Sequence, residues 1–153
     1  MWRPQLTWGQ YLGEEECPYA RRWVLDLIFC SLRVHHWYRS DDKRAPHSHP
    51  WWFITLVLKG SYEDWSYPET TRRGLPRLDR KFVDRLRVGS IRKRPADHIH
   101  SVSVDPGGCW TVLLTGSPSG PWGFWVKSKD GAARFFRSSR YFRRFGHHPC
   151  DQP

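Results

Sequence analysis

The sequence lacks long hydrophobic runs and closely spaced cysteines. No apolar stretch approaches the roughly 18 residues of a membrane-spanning helix, and residues 1–16 lack the apolar centre of a secretory signal. The cysteines have no CxxC spacing, which excludes a four-cysteine zinc site and argues against a disulfide framework. They are Cys17, Cys30, Cys109 and Cys150. These absences predict a cytoplasmic protein that does not associate with membranes.

Acidic residues are also few, because 15 Asp and Glu stand against 25 Lys and Arg, for a net charge of +10. A surface of one sign attracts anions, so we expect a small anionic molecule, or else nucleic acid, as partner. The alternative is a solvated basic surface that binds nothing specific. The arginines at 134, 137, 140 and 144 recur at helical spacing. They predict a basic, aromatic C-terminal arm with an amphipathic helix.

Helical periodicity is absent from the middle of the chain. Short apolar or alternating runs follow one another from residue 23 onward, separated by Gly and Pro, as in an antiparallel sandwich or barrel. The clearest run is Trp51–Lys59, which is apolar on both alternations and ends at Gly60. We therefore expect an N-terminal extension over 1–22 that includes at most a short helix, a β-barrel over 23–130 and the arm over 131–153.

The eight histidines come in four pairs, two of which have i, i+2 spacing. His47 and His49 begin one predicted strand, and His98 and His100 begin another. Side chains two positions apart on a strand point to the same face, so each pair can converge on one point. Neutral imidazole is a common ligand of Fe, Zn, Ni and Cu. The spacing predicts one metal site built from two distant segments.

The two histidine segments resemble the two motifs of the cupin family. The first is the HxH of residues 47–49 followed by a hydrophobic strand that ends at Gly60, and the second runs from Gly89 to His100. Asp97 stands where the second motif usually has glycine, and Asp tolerates that turn conformation better than most residues. The HxHPW run is similar to that of small phage and actinobacterial cupin-like proteins. The resemblance spans roughly residues 30–127, and it implies an all-β, cupin-type antiparallel barrel or jelly roll with short helical or irregular terminal extensions.

By register with the family, the metal ligands are His47, His49 and His100. The usual cupin has a ligating Glu shortly after the second histidine, but that position falls on Phe53 or Ile54 here. The resemblance then implies a three-histidine site, as in the thiol dioxygenase branch of cupins. The alternatives for a fourth ligand are Glu63, His98 and His36. The expected cofactor is one divalent metal ion, with Fe favoured over Zn, Mn or Ni.

Further residues near the predicted barrel mouth suit catalysis and substrate binding. Tyr62, Glu63 and His98 are candidates for proton transfer. Arginine grips carboxylates and phosphates bidentately, and aromatic side chains can line a pocket, so we expect substrate contacts from four residues. These are Arg33, Arg39, Arg92 and Trp51.

The favoured function is an Fe(II)-dependent oxygenase that acts on a small anionic substrate, because a three-ligand site leaves coordination positions open. A metal-dependent isomerase or lyase is the second choice. The alternatives are a non-catalytic barrel that sequesters a small anion or nucleotide, and a nucleic-acid-associated protein that binds through its basic arm. A homodimer is also expected, since cupins often pair through exposed strands.

Overall fold

A computed structural model describes residues 4–14, 16–41, 44–67, 74–79, 81–129, 132–146 and 150. Within these residues the chain is built almost entirely from strands, followed by one helix. The elements are β1 Gln5–Glu14, β2 Cys17–Asp26, β3 Cys30–Trp37, β4 His47–Ser48, β5 Phe53–Lys59, β6 Ser61–Ser66, β7 Phe82–Arg87, β8 Ile91–Arg94, β9 His100–Val104, β10 Cys109–Gly116, β11 Gly123–Lys127, β12 Ala133–Arg137 and α1 Ser138–Phe145.

The strands form two six-stranded sheets that enclose the core. The first sheet has the order β1-β2-β3-β10-β5-β8 and the second has the order β12-β11-β4-β9-β6-β7. Neighbouring strands pair antiparallel throughout. Non-consecutive strands lie side by side, as in a jelly roll. Short alternating segments separated by Gly and Pro produce this fold because each strand buries one face.

The ends of the chain belong to the sheets more than the sequence suggests. The N-terminal extension was expected to contain at most a short helix. It instead contributes β1 and β2, which pair with each other, and β2 extends the first sheet beside β3. The predicted C-terminal helix exists, but it is confined to α1, and the residues before it form β12 beside β11. The apolar run from Trp23 to Tyr38 is divided between β2 and β3 by an exposed turn at Leu27, Ile28 and Phe29.

Two turns require left-handed backbone. Asp97 has φ 63°, at the position where the second motif usually has glycine. Its amide donates to the carbonyl oxygen of His49 at 3.0 Å, which ties the two histidine segments together. Gly60, between β5 and β6, has φ 75° and lies against Gly108, which precedes β10, and Cys109, the first residue of β10.

The apolar core lies in two clusters. One, between the sheets, contains the buried Val57, Tyr62, Leu86 and Cys109. The other lies beneath α1 and contains Ala45, Phe124 and Tyr141. No helix among the described residues is long and apolar enough to cross a membrane.

The cysteine spacing gave no sign of a pairing that the structure contains. Cys17 and Cys150 form a disulfide that joins β2 to the C-terminal segment, whereas Cys30 and Cys109 are free. The two bonded residues are 133 positions apart in sequence. Only the folded chain brings them together, so spacing could not reveal the bond.

Candidate metal centre

Three histidines from two segments meet between the sheets. His47 of β4 lies opposite His100 of β9 in the strand register, and His49 follows β4 by one residue. Nε2 of His47 lies 3.1 Å from Nε2 of His49. One nitrogen from each of the three rings lies within 4.8 Å of the others. This geometry could hold a metal ion, and it brings together the three residues predicted to ligate one.

Two carboxylates fix the orientation of the rings. Nδ1 of His100 lies 2.8 Å from Oδ1 of Asp64, and Nδ1 of His47 lies 3.3 Å from Oδ2 of Asp41. A carboxylate at Nδ1 favours the proton on that nitrogen and leaves the lone pair on Nε2. Nε2 of His100 is indeed buried with no hydrogen-bond partner among the described residues. A metal ion would satisfy this atom, so the donor set fits one.

The carboxylates are themselves held in place. Asp64 on β6 accepts from Nε and a terminal nitrogen of Arg94 at 2.9 and 2.7 Å, and Arg94 also binds Asp84 at 2.7 Å. Asp41 accepts from the amide of Val102 at 2.6 Å. Burial acts to raise the pKa of Asp64, but the hydrogen bonds and charges of His100 and Arg94 outweigh it and hold the pKa well below the usual range. Asp64 is therefore a carboxylate at neutral pH.

Sequence reasoning missed Asp41 and Asp64. Tyr62, Asp64 and Ser66 share one face of β6, but only the burial of Tyr62 and Asp64 in the structure identifies it as the inner face. Asp41 lies outside the strands and carried no pattern that could have identified it.

Burial keeps two of these histidines, His47 and His49, neutral. It lowers the pKa of His47 to about 4, although the Asp41 carboxylate acts in the opposite direction. It also lowers the pKa of His49 well below its usual value, with further contributions from the neighbouring His47 and His100. A neutral imidazole has a free lone pair, so the rings are in the state that binds a metal at physiological pH.

Neither Phe53 nor Ile54, the two positions at which a ligating Glu was considered, offers a ligand atom. Phe53 is buried, and its ring centre lies 5.6 Å from those of both His49 and His100. The next residue, Ile54, pairs with Leu114 and Lys93 in the sheet. Phe53 cannot ligate a metal, so this side of the cluster is apolar.

The predicted proton-transfer residues lie at different depths. His98 is near the cluster, with its ring centre 5.3 Å from that of His100 and its Nε2 3.1 Å from Oγ of Ser66. With Asp64 and His100 it forms a second group that could hold a metal. The structure places the other two elsewhere. Tyr62 is enclosed in the apolar core, and Glu63 is on the outer face of β6, 3.2 Å from Arg85.

The predicted substrate residues divide in the same way. The guanidinium of Arg33 lies over the ring of Trp51 at 4.4 Å, and Trp51 stacks on His49 at 5.7 Å, so both adjoin the cluster. Arg39 instead lies over Tyr19 at 5.8 Å. Arg92 points outward to Asp84 at 3.2 Å. The latter two are not brought to the histidines.

Two other features of the sequence lie away from the cluster. His36 is on the outer face of the first sheet, where it stacks on Trp110 with ring centres 4.3 Å apart. The basic residues of β12 and α1 are exposed to solvent; they are Arg134, Arg137, Arg140, Arg143 and Arg144. The pair His147 and His148 falls outside the described residues.

The double-sheet fold is similar to that of several solved structures. The oxalate decarboxylase of Lactobacillus farciminis, in a formate complex, gives a TM-score of 0.52 at 14% identity over 82% of this chain and 33% of that one. FeII HppE gives 0.52 at 11% identity over 74% and 56% of the two chains. The DMSP lyase DddQ from Ruegeria pomeroyi DSS-3 gives 0.52 at 15% identity over 75% and 56%.

These identities show a common fold and nothing finer. The chain spans between 33% and 56% of the length of these three proteins. No family model and no curated protein sequence matches it.

Proposed function

We propose, from the premise that this chain has the cupin fold, that it is a metalloenzyme that acts on a small anionic substrate. The fold is the all-β jelly roll that the sequence predicted. The observation that carries the proposal is the convergence of three buried imidazoles, with Nε2 of His100 left without a partner among the described residues. We assign His47, His49 and His100 as the ligands of one divalent ion, with Fe(II) favoured. FeII HppE, which has a similar fold, holds that metal.

The chain's own residues define what the site can do. Asp41 and Asp64 hold two of the rings by Nδ1, which presents Nε2 toward the common point. Phe53 closes one side with an apolar ring and keeps water from it. A bound Fe(II) would supply redox chemistry with dioxygen, whereas Zn, Mn or Ni would supply Lewis-acid chemistry.

Arg33 supports an anionic substrate. Its charge adjoins the histidine cluster through Trp51, and Nε is buried with no hydrogen-bond partner among the described residues. A guanidinium whose buried Nε lacks an acceptor is suited to a carboxylate or phosphate brought by a ligand. His98 lies beside the three proposed ligands, and burial lowers its pKa to about 4. It is therefore neutral at pH 7.

The test is metal content and oxygen uptake of protein purified under anaerobic conditions. We expect one Fe per chain and Fe(II)-dependent oxygen uptake with at least one member of a panel of small carboxylates, thiols and keto acids. His100→Ala should remove both, whereas His36→Ala, on the outer sheet face, should retain both. Stoichiometric metal without turnover of any compound would instead support the non-catalytic binding alternative. Absence of metal binding in the wild type would reject the proposal.

A further inference from the structure

The inner face of β3 carries polar atoms that the protein does not satisfy. Ser31 and His35 are buried while the intervening Leu32 is exposed, so Ser31, Arg33 and His35 share the inner face. Arg33 Nε and both ring nitrogens of His35 are buried without a hydrogen-bond partner among the described residues. Unsatisfied buried polar atoms are rare because each has lost its water. Their concentration on one strand face indicates a place for a ligand.

Strand β10 adds a further atom to this group. Its Thr115 is opposite Ser31 in the register, and Oγ1 of Thr115 is buried and also lacks a partner in the described part of the chain. Arg33 and Ser31 also line a cavity of about 260 Å³ together with Asp26, whereas His35 and Thr115 lie outside its lining. A cavity of this size admits only a small molecule.

The group adjoins the proposed metal centre. Trp51 is in contact with Arg33 on one side and stacks on His49 on the other. A ligand held by Arg33 therefore lies beside the cluster.

The unsatisfied atoms specify the chemistry of the ligand. Arg33 only donates hydrogen bonds, whereas a neutral imidazole offers one donor and one acceptor. His35 is neutral because burial, with the charges of Arg33 and Arg22, lowers its pKa to about 3. A carboxylate satisfies Arg33 and the donor of His35, but it leaves the acceptor nitrogen unpaired. That nitrogen needs a hydroxyl donor, and the carboxylate of Asp26, whose charge acts on Arg33, disfavours a second negative charge on the ligand.

We propose that Arg33, His35 and Thr115 form a subsite for a small monoanionic hydroxycarboxylate, with its carboxylate on Arg33 and its hydroxyl donating to His35. The assignment of this ligand as the substrate rests on the metalloenzyme function proposed above. His35 is then a substrate-contacting residue that neither motif of the sequence indicated.

Calorimetric titration with glycolate, acetate and glycolamide tests the subsite. The full-length chain is used as purified and again after loading with Zn(II), which is redox-inert. We expect glycolate to bind at least tenfold more tightly than acetate, and glycolamide, which lacks the charge, to bind at least tenfold more weakly than glycolate. His35→Leu should reduce the advantage of glycolate over acetate to less than threefold. His35→Gln keeps a donor and an acceptor and should retain most of it, and His36→Leu, on the outer face, should leave it unchanged.

Two results would overturn the subsite. The first is equal affinity for glycolate and acetate in the wild type. The second is a preference for glycolate over acetate that persists in His35→Leu, which is what chelation by the metal alone would produce. Should His35→Leu fail to fold, Thr115→Val decides, since this isosteric change should weaken glycolate binding at least threefold. Metal content is measured on every variant. If glycolate binding depends on His35 in a chain that holds no metal, the subsite is supported and the metalloenzyme proposal is rejected. If the chain holds metal but shows no such binding, the subsite is rejected and the metalloenzyme proposal stands.

Discussion

At the scale of single residues, the candidate centre depends on side chains other than the three proposed ligands. The network Arg94–Asp64–His100 joins three strands, β8, β6 and β9, and it is buried at both the carboxylate and the imidazole. Such partners fix the tautomer and the orientation of a ligating ring. The same Arg94 also binds Asp84, which is more exposed and does not contact the imidazole.

This difference gives a matched pair of variants. Asp64→Asn should weaken Zn(II) or Co(II) binding by about 10- to 100-fold, because an amide no longer favours the proton on Nδ1 of His100. Asp84→Asn removes the other carboxylate on Arg94 and should change metal affinity less than threefold. The measurement is a competition titration with a chromophoric chelator, with thermal melting to verify folding. Equal losses in the two variants would mean that Asp64 acts only through Arg94 and not on the ring.

At the scale of elements, the turns position the strands that carry the site. Gly60 joins β5 to β6, which carries Asp64, and Gly89 joins β7 to β8, which carries Arg94. Both have positive φ, 75° and 82°. They differ in surroundings, because a Cβ on Gly60 would press on the carbonyl oxygen of Gly108 and lie 3.1 Å from Cα of Cys109, whereas a Cβ on Gly89 would have no heavy atom within 4 Å.

Substitution by alanine separates strain from crowding. Gly89→Ala should reduce the free energy of unfolding by about 1–2 kcal/mol, the usual penalty of a left-handed conformation for a residue with Cβ. Gly60→Ala should reduce it at least twice as much, since the backbone of two turns must also move apart. Urea unfolding monitored by tryptophan fluorescence measures both. If Gly60→Ala reduces the free energy of unfolding no more than Gly89→Ala does, the crowding around Gly60 has no measurable cost.

At the scale of the whole molecule, the interior holds neutral histidines that become charged on unfolding. Burial lowers the pKa of His47 to about 4 and, with nearby arginines, that of His35 to about 3. An unfolded histidine titrates near 6.5. Between these values the unfolded chain binds protons that the folded chain does not, so the stability of the folded state falls as the pH falls.

The free energy of unfolding of the metal-free protein should therefore be constant just above pH 7 and decline from about pH 6.5 toward pH 4. Each such histidine contributes a slope of about 1.4 kcal/mol per pH unit. His35→Gln, which cannot be protonated, should make the slope shallower by about that amount. Asp64, with its lowered pKa, adds a further loss only below the usual range of aspartate, near pH 4. Urea titrations at several pH values provide the measurement, and an unchanged slope in His35→Gln would contradict the assignment of His35 as neutral.

The sequence alone determined the strand-rich fold and the two histidine segments. Alternation, breakers and i, i+2 spacing are local properties, and local properties decide which residues form strands and which side chains share a face. Hence β5 lies close to the predicted run Trp51–Lys59, the two histidine segments lead into β4 and β9, and Asp97 has the left-handed backbone expected of a residue that replaces glycine.

Only the tertiary structure decided which side chains meet. Asp64 and His35 reach the interior by pairings between strands distant in sequence, Asp41 does so from outside the strands, and Cys17 meets Cys150 only in the folded chain. Glu63 and Arg92 point outward. Side chains alternate between the two faces of a strand, and only the pairing of that strand decides which face is inside. Contacts across a barrel depend on register and closure of the sheets, which no local pattern encodes.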